Sequence, residues 1–88
     1  MINKREKEII IQFAKKYHVF SIYLFGSSLN ENEYNDIDLA VKGIKPELFF
    51  KFYGELLRNL KKPVDLIDLS KKSLFNQIIE ETAMIIYE

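Results

Sequence analysis

Apolar residues recur every three or four positions in three stretches of the chain, the spacing that places them on one face of a helix. The first stretch is residues 3–18. The second follows Pro46, which is typical of a helix start, and ends before Pro63. The third is short and follows a serine that can cap a helix, either Ser70 or Ser73. The apolar positions of the three stretches are, in order, Ile9, Ile10, Phe13, Ala14 and Tyr17; Phe49, Phe52, Tyr53, Leu56, Leu57 and Leu60; and Leu74, Phe75, Ile78 and Ile79.

Four further stretches have the composition of β-strands. Residues 19–25 are rich in β-branched and aromatic side chains and end at Gly26. Residues 36–41 and 64–69 have the same character, and residues 84–87 indicate a last edge strand. Helices and short strands in this order predict one α+β domain over the whole chain, an α/β sandwich. We expect a small mixed sheet of about four strands flanked by three to four helices.

The composition is that of a small folded domain. Its 88 residues leave room for one modest core, and 48% of them are hydrophobic. Thirteen Lys and Arg residues balance thirteen Asp and Glu residues. The composition therefore shows no excess of basic residues of the kind that binds nucleic acid directly. There is no cysteine for disulfides or thiolate metal sites, and no apolar run long enough to span a bilayer. We therefore expect a cytoplasmic protein without membrane contact.

Two aspartates one residue apart, Asp36 and Asp38, begin the second predicted strand. Alternate residues of a strand point to the same face, so the two β-carbons are expected about 6.5 to 7 Å apart on one face. That separation suits a shared hard cation, which would also remove the repulsion between the carboxylates. Asp65 lies on the third predicted strand, and a neighbouring strand could bring it beside the pair. Three oxygen ligands favour magnesium or manganese over zinc.

Gly26 and Ser27 follow the first predicted strand and have the properties of a phosphate-binding turn. Glycine lets the backbone approach an anion closely, and a serine that opens a helical turn offers its hydroxyl and backbone N–H groups. Together with the aspartates, this turn predicts a site for phosphate and a divalent metal. Tyr34 and Asn35, next to the aspartates, are weaker candidates to contact a nucleotide.

The order of these features resembles the minimal nucleotidyltransferase (MNT) domains of the polymerase-β-like nucleotidyltransferase superfamily. The resemblance rests on "GSS" at residues 26–28, "DIDLAV" at residues 36–41 and "VDLIDL" at residues 64–69, and it extends to the final "IIYE". It implies a nucleotidyltransferase-like fold in which Gly26 and Ser27 bind the β- and γ-phosphates of a nucleotide.

The resemblance also implies a reaction and a partner. Asp36, Asp38 and Asp65 would be the catalytic residues and the ligands of two Mg²⁺ ions, for which Mn²⁺ could substitute. The activity would be transfer of a nucleoside monophosphate, AMP from ATP or the equivalent from another NTP, to an acceptor hydroxyl. Proteins of this kind commonly pair with a HEPN-domain toxin and adenylylate one of its tyrosines, so an antitoxin role is expected. A large exposed apolar patch on one helix would support such a partner.

Two departures from the family pattern favour an alternative: an MNT-fold protein with little or no activity that neutralises its partner by binding alone. Many members follow Gly-Ser with a basic and small-residue segment, where this chain has Leu29, Asn30 and Glu31. Only eight residues separate Ser27 from Asp36, fewer than is common. Small-molecule modification is a third interpretation, disfavoured because no second domain is present to hold that acceptor. The sequence leaves the acceptor, the NTP and homo-oligomer formation open.

Overall fold

The computed structural model describes residues 2–26, 28 and 34–88. In chain order the described elements are α1 (Lys4–Lys16), β1 (Ser21–Phe25), β2 (Ile37–Lys42), α2 (Pro46–Asn59), β3 (Val64–Asp68), α3 (Leu74–Thr82) and β4 (Met84–Tyr87). Every predicted helix and strand is present, with small differences at the ends. None of the described helices is long and apolar enough to cross a membrane. The predicted α+β fold, with a four-stranded sheet and flanking helices, is confirmed.

The four strands form one mixed sheet in the order β3-β2-β1-β4. β1 is antiparallel to both of its neighbours, β2 and β4, whereas β2 and β3 are parallel. A parallel pair needs a crossover connection, and α2 provides it between β2 and β3. Because β2 and β3 run in the same direction, their first residues lie at the same end of the sheet. β4 is an edge strand, as predicted.

Local signals in the sequence account for the helix starts. Asn3 caps α1 through a capping box: its side chain accepts from the Glu6 amide at 2.8 Å, and the Glu6 carboxylate accepts from the Asn3 amide at 3.0 Å. Of the two serines that could cap α3, Ser73 does so. Ser70 instead donates its amide to the Asp68 carboxylate at 2.9 Å, so Asp68 forms a local turn at the end of β3.

α1 and α2 cover one face of the sheet and enclose the larger hydrophobic core. Its side chains without exposed surface are Ile10, Ala14, Ile22, Leu24, Ile37, Leu39, Val41, Phe52 and Leu56. The aromatic stripe of α2 belongs to this core, because Phe49 and Tyr53 pack against it beside the buried Phe52. Leu57 shares the apolar spacing of this helix but lies on the outer side of α2, where it is 48% exposed.

The opposite face of the sheet carries a smaller core beneath α3. Tyr23, Ala40, Leu69 and Ile79 are buried there. α3 has only nine residues, so it cannot cover the whole face. On this face Asp65, near the beginning of β3, is exposed, and Asp38, near the beginning of β2, is partly buried.

Candidate active site

Asp38 and Asp65 occupy paired positions on the parallel strands β2 and β3. Ile37 and Leu39, on either side of Asp38, are buried in the larger core, so Asp38 points to the opposite face of the sheet. Asp65 has the same orientation, because both of its neighbours on β3 are also buried in that core. Adjacent strands lie about 4.8 Å apart. Two carboxylates therefore stand side by side on the face that α3 covers only in part.

Asp36 directly precedes β2, which begins one residue later than predicted. Asp36 is exposed, whereas Asp38 is partly buried. Burial raises the pKa of the Asp38 carboxyl, and the negative charges of Asp65 and then Asp36 raise it further. A carboxylate that is desolvated and flanked by two like charges is destabilised in its ionised form. A divalent cation at this position would relieve that repulsion.

The sheet brings the three aspartates close together, but their side chains do not form a ready three-ligand site. Across residues 2–26, 28 and 34–88, no group of three His, Asp or Glu side chains is placed to hold a metal ion. The chemistry of the donor set nevertheless fits Mg²⁺ or Mn²⁺, since all three side chains offer carboxylate oxygens. Metal binding by Asp36, Asp38 and Asp65 thus stays a prediction, supported by the paired positions of Asp38 and Asp65.

Gly26 directly follows β1 and lies beside Asp38. Its φ of 69° is in the left-handed region that favours glycine. A β-carbon at this position would collide with Oδ2 of Asp38. Glycine is therefore required here both for its backbone angle and for the room it leaves to the carboxylate. Ser27, the other predicted nucleotide-binding residue, lies outside the described residues, and nucleotide binding by both stays a prediction.

Ser28 belongs to this site, although its role was not predicted from the sequence. Its side chain is fully buried. The hydroxyl donates to the Phe25 carbonyl at 2.9 Å and accepts from the Asp38 amide at 3.1 Å. Ser28 therefore fastens the turn after β1 to the backbone of β2 at Asp38. The only signal was the second serine of "GSS", and its contacts depend on the register that pairs Phe25 with Asp38.

The Tyr34 side chain is buried and hydrogen-bonded inside the fold. Its side chain is 7% exposed, and its hydroxyl donates to the Glu6 carboxylate. Burial and the hydrogen bond to Glu6 raise the pKa of Tyr34 to about 12. The ammonium nitrogen of Lys62 lies 3.6 Å from the centroid of the Tyr34 ring. Of the two weaker nucleotide-contact candidates, only Asn35 is exposed.

A cavity of about 530 Å³ opens beside α3, away from the aspartates. It is lined by Leu69, Lys71, Lys72, Ser73, Asn76, Gln77, Glu80 and Glu81. This lining begins after the end of β3, whereas Asp38 and Asp65 stand near the beginnings of β2 and β3. The cavity and the paired carboxylates are therefore separate features of the same face.

Most of the chain matches the model of a known protein family. The family model described as Polymerase beta, Nucleotidyltransferase matches residues 7–88. The protein therefore belongs to the polymerase β nucleotidyltransferase family, and the resemblance inferred from its sequence is confirmed. No relative was found among the curated proteins.

Solved structures of toxin–antitoxin complexes share the fold. A chain in the complex of tri-AMPylated Shewanella oneidensis HEPN toxin with MNT antitoxin is 25% identical, with a TM-score of 0.73 over 97% of this chain and 71% of that one. A toxin–antitoxin structure with AMP-PNP is 25% identical, with a TM-score of 0.71 over 91% and 71% of the two chains. A variant of the MntA–HepT toxin–antitoxin is 23% identical, with a TM-score of 0.75 over 97% and 72%.

Proposed function

We propose that this protein is a metal-dependent nucleotidyltransferase that transfers AMP from ATP to a tyrosine hydroxyl of a HEPN-type toxin and thereby acts as an antitoxin. The observation that carries the proposal is the side-by-side placement of Asp38 and Asp65 on one accessible face, in a chain of the polymerase β nucleotidyltransferase family. A cytoplasmic location, where ATP and such a toxin would be met, belongs to the same proposal.

The aspartates would bind the metal and deprotonate the acceptor hydroxyl. Asp36, Asp38 and Asp65 would bind Mg²⁺, or Mn²⁺ in its place, with two ions expected. When bound, the metal would acidify the acceptor hydroxyl and neutralise charge on the triphosphate. The acceptor oxygen would form a bond to the α-phosphorus. The bond from that phosphorus to the oxygen shared with the β-phosphorus would break, and pyrophosphate would leave. Asp65, the exposed member of the paired aspartates, would take the hydroxyl proton.

The turn after β1 would bind the leaving phosphates. The Gly26 amide would donate to a phosphate oxygen, while the room left by the missing β-carbon holds the Asp38 carboxylate. Ser27 would add its hydroxyl and amide. Ser28 holds this turn against the Asp38 backbone, so the phosphate-binding and metal-binding groups are linked by one buried hydroxyl. Such positioning contributes to catalysis because reacting groups need no further ordering.

An exposed apolar surface supports a protein partner. On α3, Leu74 is 74% exposed, Phe75 54% and Ile78 47%. α3 packs on the same face of the sheet that carries the paired aspartates. Exposed apolar side chains grouped in this way are typical of interaction surfaces. Among the similar structures, one is a complex with an AMPylated HEPN toxin, which is why we propose that class of partner.

Calorimetric titration of ATP in the presence of Mg²⁺ tests the site. The wild type should bind ATP only with the metal, and a variant carrying both Asp36→Asn and Asp38→Asn should lose that binding. Asp68→Asn is the matched control: Asp68 also lies on the sheet, but its carboxylate accepts from the Ser70 amide, which an asparagine can still do. Absence of ATP binding in the wild type, with and without its partner, would contradict the proposed nucleotidyltransferase activity.

The transfer itself is tested by mass spectrometry of a HEPN-type partner after incubation with ATP and Mg²⁺. The partner should gain the mass of AMP on a tyrosine in the presence of the wild type and not in the presence of the Asp38→Asn variant.

The alternative is an antitoxin that acts by contact alone. The exposed apolar surface of α3 supports it equally, and the described residues contain no ready three-ligand metal site. Toxin neutralisation in cells separates the two functions: Asp38→Asn abolishes neutralisation if AMP transfer is required and leaves it unchanged if contact suffices.

A further inference from the structure

Tyr34 and Glu6 form a buried contact between α1 and the segment that leads to the aspartates. Tyr34 is 7% exposed and Glu6 is 9% exposed. The Tyr34 hydroxyl donates to Oε1 of Glu6, the same atom that accepts the Asn3 amide at 3.0 Å. A buried carboxylate needs such donors because an unpaired buried charge costs free energy. The contact therefore ties the first turn of α1 to the chain just before β2.

The same tyrosine also contacts the segment that leads to β3. The Lys62 ammonium lies 3.6 Å from the Tyr34 ring centroid, a cation–π contact. Lys62 comes three residues before Asp65. Close by, the Ile37 amide donates to the Pro63 carbonyl at 2.9 Å, which joins the starts of the two parallel strands. Tyr34 thus stands between α1 and both segments that carry the aspartates.

We propose that Tyr34 is a positioning residue for the aspartate site, an inference that rests on the proposed function. By holding the chain before β2 against α1 and Lys62, Tyr34 sets the position of Asp36 and Asp38 relative to Asp65. It acts through the backbone and not through contact with substrate. Its hydroxyl should therefore affect the affinity of the site for a divalent metal.

Tyr17 and Glu55 offer a matched control. The Tyr17 hydroxyl donates to the Glu55 carboxylate at 2.7 Å and links α1 to α2. The chemistry is the same as in the Tyr34–Glu6 contact, but neither element carries an aspartate of the site. Tyr17→Phe and Tyr34→Phe each remove one hydroxyl that donates to a glutamate and keep the aromatic ring.

Amide hydrogen exchange measured by NMR tests the positioning without metal. The Ile37 amide donates to the Pro63 carbonyl and the Asp38 amide to the Ser28 hydroxyl, so both report on the start of β2. Relative to the central amides of β1, these two should exchange about tenfold faster in Tyr34→Phe. Tyr17→Phe should leave that ratio unchanged. Unchanged relative exchange in Tyr34→Phe would overturn the inference.

Mn²⁺ affinity, measured by electron paramagnetic resonance with ATP present, tests the consequence for the site. Tyr34→Phe should bind Mn²⁺ about tenfold more weakly, and Tyr17→Phe should bind it as the wild type does. Glu6→Gln keeps an oxygen that accepts from the Tyr34 hydroxyl, so it should retain near wild-type affinity. Wild-type affinity in Tyr34→Phe would overturn the inference. A wild type that binds no Mn²⁺ contradicts the proposed function instead, and the exchange ratio then decides the positioning role by itself.

Discussion

Asp38 and Asp65 are direct neighbours across two parallel strands, although the whole of α2 separates them along the chain. Their backbones are held in register by β-sheet pairing, and their side chains point to the same face. Like charges in such positions are destabilising. A fold that keeps two carboxylates together at this cost provides a place where a divalent cation would be stabilising, and this relationship leads to the first two predictions.

Asp38→Asn should stabilise the metal-free protein. The substitution removes a partly buried negative charge beside Asp65 and Asp36. We expect a gain of about 0.5 kcal/mol in the free energy of unfolding, seen as a rise of ~2 to 4 °C in Tm. Thermal unfolding in the presence of a chelator measures it. Asp68→Asn should show no such gain, and a lower Tm for Asp38→Asn would contradict the prediction.

The advantage of Asp38→Asn should depend on pH. The pKa of Asp38 in the folded state is raised above its value in the unfolded chain, so the folded state binds the proton more tightly. The contribution of wild-type Asp38 therefore favours folding at low pH and is lost as the pH rises from about 4 through the raised pKa. In urea titrations, the two proteins should be closest in stability at about pH 3 and should diverge toward about pH 7. A difference that is constant over this range would contradict the stated cause.

Gly26→Ala should damage both the fold and the site. An alanine at φ 69° is strained, and its β-carbon collides with the Asp38 carboxylate. We expect a loss of about 1 kcal/mol or more in the free energy of unfolding and loss of Mg²⁺-dependent ATP binding. Chemical denaturation and calorimetry give the two values.

Gly54→Ala is the control for Gly26→Ala. Gly54 lies inside α2, and a β-carbon there meets only the Arg58 guanidinium, at 3.2 Å. That flexible group can move into solvent, so the variant should gain about 0.5 to 1 kcal/mol from the better helix former and bind ATP normally. Equal losses in both variants would show that the collision with Asp38 is not the cause.

Two buried serines should respond in opposite ways to alanine. Ser28→Ala leaves the Phe25 carbonyl and the Asp38 amide without their shared partner, and should lower the free energy of unfolding by about 1 to 3 kcal/mol. Ser21 is equally buried, but its hydroxyl has no hydrogen-bond partner among the described residues. Ser21→Ala should therefore be neutral or stabilising. Guanidinium unfolding of both variants measures the difference, and a large loss in Ser21→Ala would contradict this reading of the β1 contacts.

Several features of the site could not be predicted because they depend on distant parts of the chain. Ser28 and Tyr34 are examples: the first bridges two strands and the second reaches Glu6 in α1. The Asp38 amide is 10 residues from Ser28, and Glu6 is 28 residues from Tyr34. Leu57 fits the apolar period of α2, yet it is exposed because the period does not tell how far around the helix the core extends.

The sequence by itself determined the helices, the strands, the α+β class and the residues with chemistry to offer, Gly26 and the three aspartates. These follow from interactions between residues a few positions apart: helical and strand periodicity, caps and the chemistry of single side chains. The tertiary structure alone decided that β2 and β3 are parallel neighbours in the register that pairs Asp38 with Asp65. Strand order and register are set by the packing of both cores and by the α2 crossover, and these interactions join residues far apart in the chain.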